Sequence, residues 1–398
     1  MTTATAPGRL RGHSLAAPAL AMVVLGVLAT TVGPTSNASI TDLGIFVDKA
    51  EGLREGLWPY REIELEYPPL SLVVMWVPSL FGDYDLAFGL EMLIAGLAVL
   101  WATWRIAPAA AWPLAVAGPL AAGAMLRTHY DLVPTALAVG GLAALVRGRA
   151  RLGFGLLAAG AMTKFWPALF LPLAAAWLWP AGRRAVVQGL ALAAGIVLLV
   201  SAPFVADDYA RLVTFHLDRP VQIESAPASV LLAVGGSTVS GVPENPDAFK
   251  SQGLRGGGAG TVAALFLAVQ IAVLAWCLVR ARFAGSPRTF VLTCFAALLA
   301  FVALGKVLSP QYVIWLLPFG ALAWAWRERA VALLTLLAVV LTQVEFPARY
   351  WALVAAEPGA IALTAARNAA LLAALTLLLA TLGAPARWRR PVVGATPG

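Results

Sequence analysis

Long apolar runs are the feature that most constrains this chain of 398 residues. Runs of about 20 apolar residues recur along nearly its whole length, and a helix of that length crosses about 30 Å of hydrocarbon. Hydrophobic residues make up 60% of the sequence and charged residues only 12%, whereas a soluble domain needs roughly 25% charge. The sequence therefore predicts an all-α, polytopic transmembrane helical bundle of about 11–13 helices, with short interfacial helices in its outer loops.

The formal net charge of +8 comes mainly from basic residues in short clusters between the apolar runs. This distribution follows the positive-inside rule and marks cytoplasmic loops, so it argues against a nucleic-acid partner. Among the acidic residues, only Glu328 lies in such a cluster, which places the others mostly on the outer side. The clusters are Arg9/Arg11, Arg147/Arg149/Arg151, Arg183/Arg184, Arg280/Arg282/Arg288, Arg327/Arg329 and Arg387/Arg389/Arg390.

The clusters also predict how the helices alternate across a cell membrane. The first apolar run, about residues 15–33, is expected to be an uncleaved helix with a cytoplasmic N-terminus, because no small-residue cleavage pattern follows it. Between this helix and residue 105 the alternation fails by one crossing. The segment 67–81 is therefore either re-entrant or part of a helix that is tilted or broken at its prolines. Further helices are predicted at about 111–126, 131–146, 152–163, 167–180, 186–206, 259–280, 289–305, 311–326, 330–345 and 363–383.

Two outer loops interrupt what is predicted to be one integral-membrane domain, residues 1–398. The loop 35–66 concentrates carboxylates just outside the bilayer, which indicates ligand binding or chemistry there. The loop 207–258 is predicted to contain one interfacial helix at about 225–235. The glycine- and proline-rich second half of this loop, residues 242–260, is predicted to be mobile.

Ionisable and polar side chains on the predicted outer side combine a basic set with carboxylates. Such a combination fits a phosphate beside a general base. Local structural roles remain open: Asp42 as a helix N-cap, and Lys164 and Lys306 as lysines that extend to the membrane boundary. The candidate site residues are Asp42, Asp48, Arg127, His129, Asp131, Lys164, His216, Arg219, Gln222, Glu224, Lys306, Gln311 and Tyr312.

Other motifs give less support for chemistry. Asp83-Tyr84-Asp85 has the D-x-D pattern of metal–nucleotide sites, but a turn that caps the following helix is the favoured interpretation. No His/Cys group has the spacing of a metal site, and neither a Walker loop nor a Gly-x-Ser-x-Gly elbow occurs. We therefore predict no cofactor and no tightly bound metal. Cys277 and Cys294 lie in apolar runs and are predicted to be packing residues.

Several segments resemble a known family of membrane enzymes. Residues 41–46 (TDLGIF), 56–60 (GLWPY) and 67–70 (YPPL) resemble the first outer loop of GT-C membrane glycosyltransferases. The chain looks most like family 87, the polyprenyl-phosphate-mannose-dependent α-mannosyltransferases. Residues 163–167 (TKFWP), 216–225 (HLDRPVQIES) and 309–312 (SPQY) resemble later outer-side motifs of that family. The resemblance covers about residues 40–320.

This resemblance implies a GT-C-like fold and transfer of a hexose, expected to be mannose, to a glycolipid or glycan acceptor. Asp42 would be the base that deprotonates the acceptor, in preference to Asp48, and the reaction would invert the anomeric centre. Lys164, Arg219 and Lys306 would bind the leaving lipid phosphate. Many relatives have Tyr where this chain has Phe46, and Gly-Gln where it has Thr128-His129, a change that could alter the choice of sugar or acceptor.

Two other classes of protein are weighed against the transferase. A polytopic transporter or lipid-linked sugar flippase needs ionisable groups near the bilayer midplane and often has symmetric halves. The charges in this sequence are predicted to lie at helix ends instead. A non-catalytic membrane scaffold would leave the outer charged set unexplained. The sequence therefore favours the transferase, and it does not name the acceptor.

Overall fold

The computed structural model of the chain describes residues 14–235, 238–240 and 251–384, with residues 208 and 238–240 described by their backbone alone. Within these residues the chain forms eighteen α-helices. They are α1 (Ala16–Thr31), α2 (Leu43–Arg54), α3 (Leu70–Trp76), α4 (Tyr84–Ile106), α5 (Ala111–Ala122), α6 (Met125–Thr128), α7 (Leu132–Val146), α8 (Ala150–Thr163), α9 (Phe170–Leu178), α10 (Arg183–Ser201), α11 (Arg211–Asp218), α12 (Ala226–Val234), α13 (Ala259–Arg282), α14 (Pro287–Leu304), α15 (Val313–Ala325), α16 (Arg329–Glu345), α17 (Tyr350–Val354) and α18 (Pro358–Gly383).

Five helices in the described part of the chain are long and apolar enough to cross a membrane. They differ in their surroundings: 83% of the α14 span is buried inside the protein, compared with 11% of the α13 span. Helix α14 therefore lies at the centre of the bundle, whereas α13 presents most of its apolar surface outward, as a lipid-facing helix does. The five are Tyr84–Ile106, Arg183–Phe204, Ala259–Arg282, Pro287–Leu304 and Pro358–Gly383.

The predicted fold class, an all-α polytopic membrane protein, is confirmed. Six of the eighteen helices (α2, α3, α6, α11, α12 and α17) are short and lie in connecting segments. The twelve others alternate between the two ends of the bundle, within the predicted range. The predicted interfacial helix is α12, where the Ser225 hydroxyl accepts a hydrogen bond from the Ala228 amide and Gly235 ends the helix in the left-handed region.

The two ends of the bundle differ in chemistry. At one end, basic side chains connect neighbouring helices: Arg147 donates to the Arg105 carbonyl, Arg151 to Gln188, and Arg288 to Glu328. We call this the arginine end. The opposite end contains the six short helices and the carboxylate-rich loop, and we call it the loop end. The described arginine clusters thus share one end, as predicted. The cytoplasmic location of that end stays a prediction, and residues 1–13 and 385–398 lie outside the described residues.

The segment 67–81 does not cross the bundle. Helix α3 and the 3₁₀ turn that continues it, Leu70–Leu80, together extend only about 18 Å, well short of about 30 Å of hydrocarbon. The Tyr84 hydroxyl, at the start of α4, donates to the Met75 carbonyl at 2.9 Å, so the chain leaves this segment at the loop end where it entered. The structure thus agrees with the re-entrant alternative and restores the alternation of helices.

A small antiparallel sheet at the loop end was not anticipated by the sequence pattern. Its strands β1 (Val221–Gln222), β2 (Thr238–Ser240) and β3 (Gly253–Arg255) have the order β1-β3-β2, with Val221 opposite Leu254. A Cβ atom at Gly253 would lie 2.3 Å from the Pro220 ring, so the close approach of these strands requires glycine. Of the segment 242–260, which was predicted to be mobile, residues 242–250 lie outside the described residues, and the described part contains β3 and the start of α13.

Candidate active site

Asp42 lies at the loop end, immediately before α2. Its side chain makes no capping hydrogen bond, and the Thr41 hydroxyl accepts from the Leu43 amide at 3.1 Å instead. Asp42 Oδ2 faces His129 Nε2 at 3.7 Å; the Asp42 side chain is 27% exposed and the His129 side chain 3%. The capping interpretation of Asp42 is therefore wrong, and its carboxylate is free to contact a substrate.

Both ring nitrogens of His129 have a partner. The Thr128 hydroxyl donates to the Ala124 carbonyl at 3.0 Å and lies 2.9 Å from His129 Nδ1. His129 Nε2 faces the Asp42 carboxylate. The imidazole is therefore held between the Thr128 hydroxyl and Asp42, next to the place where a substrate hydroxyl would meet the carboxylate.

A buried ion pair lies beside Asp42 and His129. Lys164, at the end of α8, contacts Asp131 Oδ1 at 2.7 Å, and the Trp315 indole donates to the same oxygen at 2.6 Å. Asp131 is 1% exposed and Lys164 9% exposed. Lys164 therefore does not extend to the membrane boundary, contrary to that alternative, because its charge is held inside the protein by a carboxylate.

Four aromatic rings surround the Lys164 ammonium group, with centroids 4.9 to 5.9 Å from Nζ. Burial raises the pKa of the Tyr67 hydroxyl well above its usual range, and the charges of Glu66, Asp42 and Asp131 raise it further, while Arg219 opposes them. Tyr67 is therefore un-ionised. These charges also show that Asp42, Asp131 and Arg219 act on one hydroxyl group. The rings are those of Tyr67, Tyr130, Tyr312 and Trp315.

The carboxylate-rich loop docks on α11 through His216. His216 Nε2 lies 3.1 Å from the Glu66 carbonyl, and the Phe165 ring packs edge-on against the imidazole at 5.6 Å. Glu66 also forms an ion pair of 3.2 Å with Lys49. Burial lowers the pKa of His216, and the nearby charge of Arg219 lowers it further. A polar cavity of about 360 Å³ opens beside this contact, between residues 60–66 and α11.

Lys306 connects the end of α14 to the loop that carries Arg219. Its Nζ donates to the carbonyls of Leu217 and Arg219 at 2.6 and 2.8 Å, so the alternative of a lysine extended to the membrane boundary is also wrong here. Arg219 donates to the Ser251 hydroxyl at 2.7 Å and lies over the Phe215 ring. Lys164, Arg219 and Lys306 therefore lie at the same end of the bundle, as the sequence predicted.

Gln222 and Glu224 do not share a surface with His216 and Arg219. Their side chains are 3% and 1% exposed, and the Gln222 amide donates to Glu224 Oε2 at 2.9 Å. Burial, and then the charge of Glu345, raises the pKa of Glu224 well above its usual range. The motif 216–225 is therefore divided: His216 and Arg219 are half-exposed, whereas Gln222 and Glu224 are buried.

Sequence reasoning missed three residues that surround Glu224. Arg367 and Asn368 on α18 donate to the Glu224 carbonyl at 2.5 and 3.1 Å. Glu345, the last residue of α16, lies close enough to Glu224 to raise its pKa. Arg367 lies in the first half of α18, which corrects the prediction that charges occur only at helix ends. An ionisable residue inside an apolar run was the signal that could have identified Arg367.

The remaining candidates differ in their contacts. Arg127 donates through Nε to the Thr30 carbonyl at 3.0 Å and so ties the end of α1 to α6. Tyr312 stacks on Trp315 with centroids 4.1 Å apart, and Gln311 beside it is half-buried. Asp48 is exposed on α2, and the structure does not bring it to the Asp42 group.

The D-x-D sequence caps a helix, as predicted. The Asp83 carboxylate accepts from the Leu86 amide at 3.0 Å, and Asp85 lies in the first turn of α4, where a negative charge is favourable. Within residues 14–235, 238–240 and 251–384, no group of three or more His, Cys, Asp or Glu side chains is arranged to hold a metal. Cys277 and Cys294 are free and buried, in agreement with a packing role.

Comparison with known proteins identifies the family. A sequence profile of glycosyltransferase family 87 matches residues 65–310, more than half of the chain. The match includes Lys164, Arg219, Glu224 and Lys306, whereas Asp42 precedes it. A search of the curated proteins gives no match. The apolar helices and this match together lead to one conclusion: the chain belongs to glycosyltransferase family 87 and is a membrane glycosyltransferase.

Proposed function

We propose that this enzyme transfers a hexose, specifically mannose, from a polyprenyl-phosphate carrier to a hydroxyl of a glycolipid or glycan at the outer face of the cell membrane. The observation that carries the proposal is the pairing of the uncapped Asp42 carboxylate with buried His129, beside the ion pair of Asp131 and Lys164. A lipid-linked donor reaches such a site from the bilayer, and it needs no nucleotide outside the cell.

Asp42 is the proposed general base. The acceptor hydroxyl gives its proton to the Asp42 carboxylate while its oxygen forms a bond to the anomeric carbon. The bond from that carbon to the phosphate oxygen breaks, and its electron pair leaves with the polyprenyl phosphate. A single displacement of this kind inverts the anomeric centre. His129 Nε2 faces the Asp42 carboxylate and holds it in position to receive the proton.

Arg219 is the cation that we assign first to the departing phosphate, because its guanidinium is only partly buried and has donors beyond the bond to Ser251. The charge of Lys164 lies close enough to His216 to lower its pKa. Lys306 acts as a positioning residue in this proposal, since two of its three ammonium protons are bonded to the loop that carries Arg219. These groups replace a metal in neutralising the phosphate.

Transfer assays with alternative donors test this proposal. The purified full-length chain in lipid nanodiscs would receive polyprenyl-phosphate-mannose, polyprenyl-phosphate-glucose or GDP-mannose, each with glycolipid and oligosaccharide acceptors. We expect product from polyprenyl-phosphate-mannose alone, with an inverted anomeric centre by NMR and with activity that survives EDTA. Transfer from GDP-mannose, or loss of activity in EDTA that Mn²⁺ restores, would contradict the donor or the metal-free chemistry. Movement of the lipid-linked sugar across the bilayer without product would favour a flippase.

A further inference from the structure

Four side chains form a buried polar group at the loop end, which we call the inner polar group: Glu224, Glu345, Arg367 and Asn368. Each is 1 or 2% exposed. The group lies where the segment between β1 and α12 meets the end of α16 and the first half of α18. Arg367 and Asn368 hold the Glu224 carbonyl, so the group is fixed to the backbone on one side.

Several polar atoms of the inner polar group have no hydrogen-bond partner within the described structure. They are Nε and Nη1 of Arg367 and Oδ1 of Asn368. The carboxyl groups of Glu224 and Glu345 bond to each other, and Glu224 also accepts from the Gln222 amide. Gln252 Oε1 and Thr364 Oγ1 are buried and unpartnered as well. Native proteins satisfy nearly all buried polar atoms, because leaving them unpaired costs free energy. A concentration of unpaired atoms therefore indicates a place that a polar ligand fills.

The arrangement of charges restricts the chemistry of that ligand. Among the described residues, the Arg367 guanidinium donates to the Glu224 carbonyl and to neither carboxylate. A phosphate diester would satisfy Arg367, but its oxygens only accept hydrogen bonds and would leave the acceptor oxygens of Asn368 and Glu345 without a donor, and a divalent cation would be repelled by the guanidinium. A neutral compound with several hydroxyls can donate to the carboxylates and accept from Arg367 and Asn368 at the same time. A sugar has this chemistry.

Two side chains, Phe346 and His129, connect the inner polar group to the proposed base. Phe346, the residue after Glu345, packs its ring against the His129 ring with centroids 6.4 Å apart, and His129 faces Asp42. We propose that the inner polar group is a sugar subsite, in which Glu224, Glu345, Arg367 and Asn368 bind the hydroxyls of a hexopyranosyl unit next to Asp42. This inference builds on the proposed function, because it supplies the sugar-recognising part of the same site.

Direct binding of a sugar tests the subsite without requiring transfer. The probe is methyl α-D-mannopyranoside, titrated into the purified full-length chain and followed by saturation-transfer NMR. Glu345→Gln is the informative variant, because it changes one acceptor oxygen of Glu345 into a donor while keeping the size of the side chain, and the amide can still bond to the neighbouring Glu224 carboxyl. Glu91→Gln is the matched control: Glu91 is another carboxylate within the bundle with an unpartnered oxygen, but it lies on α4, which packs on α7.

We expect Glu345→Gln to raise the dissociation constant for the mannoside about tenfold or more, since an acceptor for a sugar hydroxyl is replaced by a donor. Glu91→Gln should leave it unchanged, and both variants should keep the thermal midpoint of the wild type. A wild-type protein that gives no saturable sugar signal, or a Glu345→Gln variant that binds as the wild type does, would overturn the inference.

Kinetic measurements identify the source of the sugar. A KM raised only for polyprenyl-phosphate-mannose would assign the subsite to the donor, and a KM raised only for an oligomannoside acceptor would assign it to the acceptor. Both results support the inference, whereas unchanged values for both substrates contradict it. If the mannoside binds and Glu345→Gln weakens it while no donor supports transfer, the proposed function fails and the subsite stands.

Discussion

At the scale of single residues, Asp42 and Asp48 form a matched pair of carboxylates on the same loop. We expect Asp42→Asn to lower kcat about 10²–10⁴-fold, because a positioned general base contributes roughly that factor. Asp48→Asn should keep nearly normal turnover, since Asp48 is exposed and away from His129. Rates of mannosyl transfer at saturating donor would decide between them. The reverse result, an active Asp42→Asn beside an inactive Asp48→Asn, would contradict the assignment.

Protonation of His216 is expected to make the folded protein less stable at acidic pH. Its pKa in the folded protein is lowered from 6.5 mainly by burial, so the unfolded chain binds a proton more readily. The free energy of unfolding should therefore be greatest above pH 6.5 and decrease as the pH falls below it. Thermal unfolding of the wild type and His216→Gln between pH 5.5 and 7.5 measures this. A decrease of equal size in both proteins would exclude His216 as its source.

The residue scale also shows how far a sequence can locate a site. The pattern of outer-side charges correctly placed Asp42, Lys164 and Arg219 at one end of the bundle. It did not show that Asp131 neutralises Lys164 or that Lys306 bonds to backbone carbonyls. Those contacts join residues far apart in the chain. They depend on how helices pack, which the spacing of residues within one segment does not determine.

At the scale of helices, two glycines on α10 allow a comparison between a crowded and an uncrowded position. A Cβ atom at Gly189 would lie 2.2 Å from the Phe154 ring of α8, whereas one at Gly195 meets nothing within 4 Å. We expect Gly189→Ala to lower the thermal midpoint in detergent, because overpacking costs about 1–3 kcal/mol. Gly195→Ala should leave it unchanged or raise it, since alanine favours helix by up to about 1 kcal/mol. Equal midpoints would show that the α8–α10 contact adjusts without cost.

Helices were easier to predict than the other elements. Helix α12 agrees closely with the predicted segment, because a serine cap and a terminal glycine mark its ends. The segment 67–81 stayed ambiguous, since an apolar run with prolines fits a crossing helix and a re-entrant one equally well. The three strands have only two or three residues each, too few for the alternation that identifies a strand.

At the scale of the whole molecule, the two ends of the bundle predict opposite accessibility in intact cells. A cysteine introduced at Asp48, on the loop end, should react with a membrane-impermeant maleimide added outside. A cysteine at Arg149, on the arginine end, should react only after the membrane is permeabilised. Both positions are exposed, and the native Cys277 and Cys294 are buried and should give no background. Labelling of Arg149→Cys alone in intact cells would reverse the proposed orientation.

The same scale explains why the inner polar group was not found from the sequence. The arginine clusters are local in the chain, so they reveal the direction of each helix. Glu224, Glu345 and Arg367 come from three distant segments of the chain. In the sequence, each is a single ionisable residue within an apolar run or a loop, with no sign that the three meet. Only the packing of α16 and α18 against the segment before α12 brings them together.

Helices α7 and α8, which carry Asp131 and Lys164 at their loop ends, have 15 and 14 residues. They are therefore only about 22 Å long, shorter than the roughly 30 Å of hydrocarbon in an ordinary bilayer. This hydrophobic mismatch is relieved if the bilayer becomes thinner beside the two helices. A locally thin membrane would bring the headgroup of a lipid-linked donor down to the level of Lys164. Catalysis should then be faster in nanodiscs of short-chain lipids than in those of long-chain lipids, because thick bilayers resist this deformation.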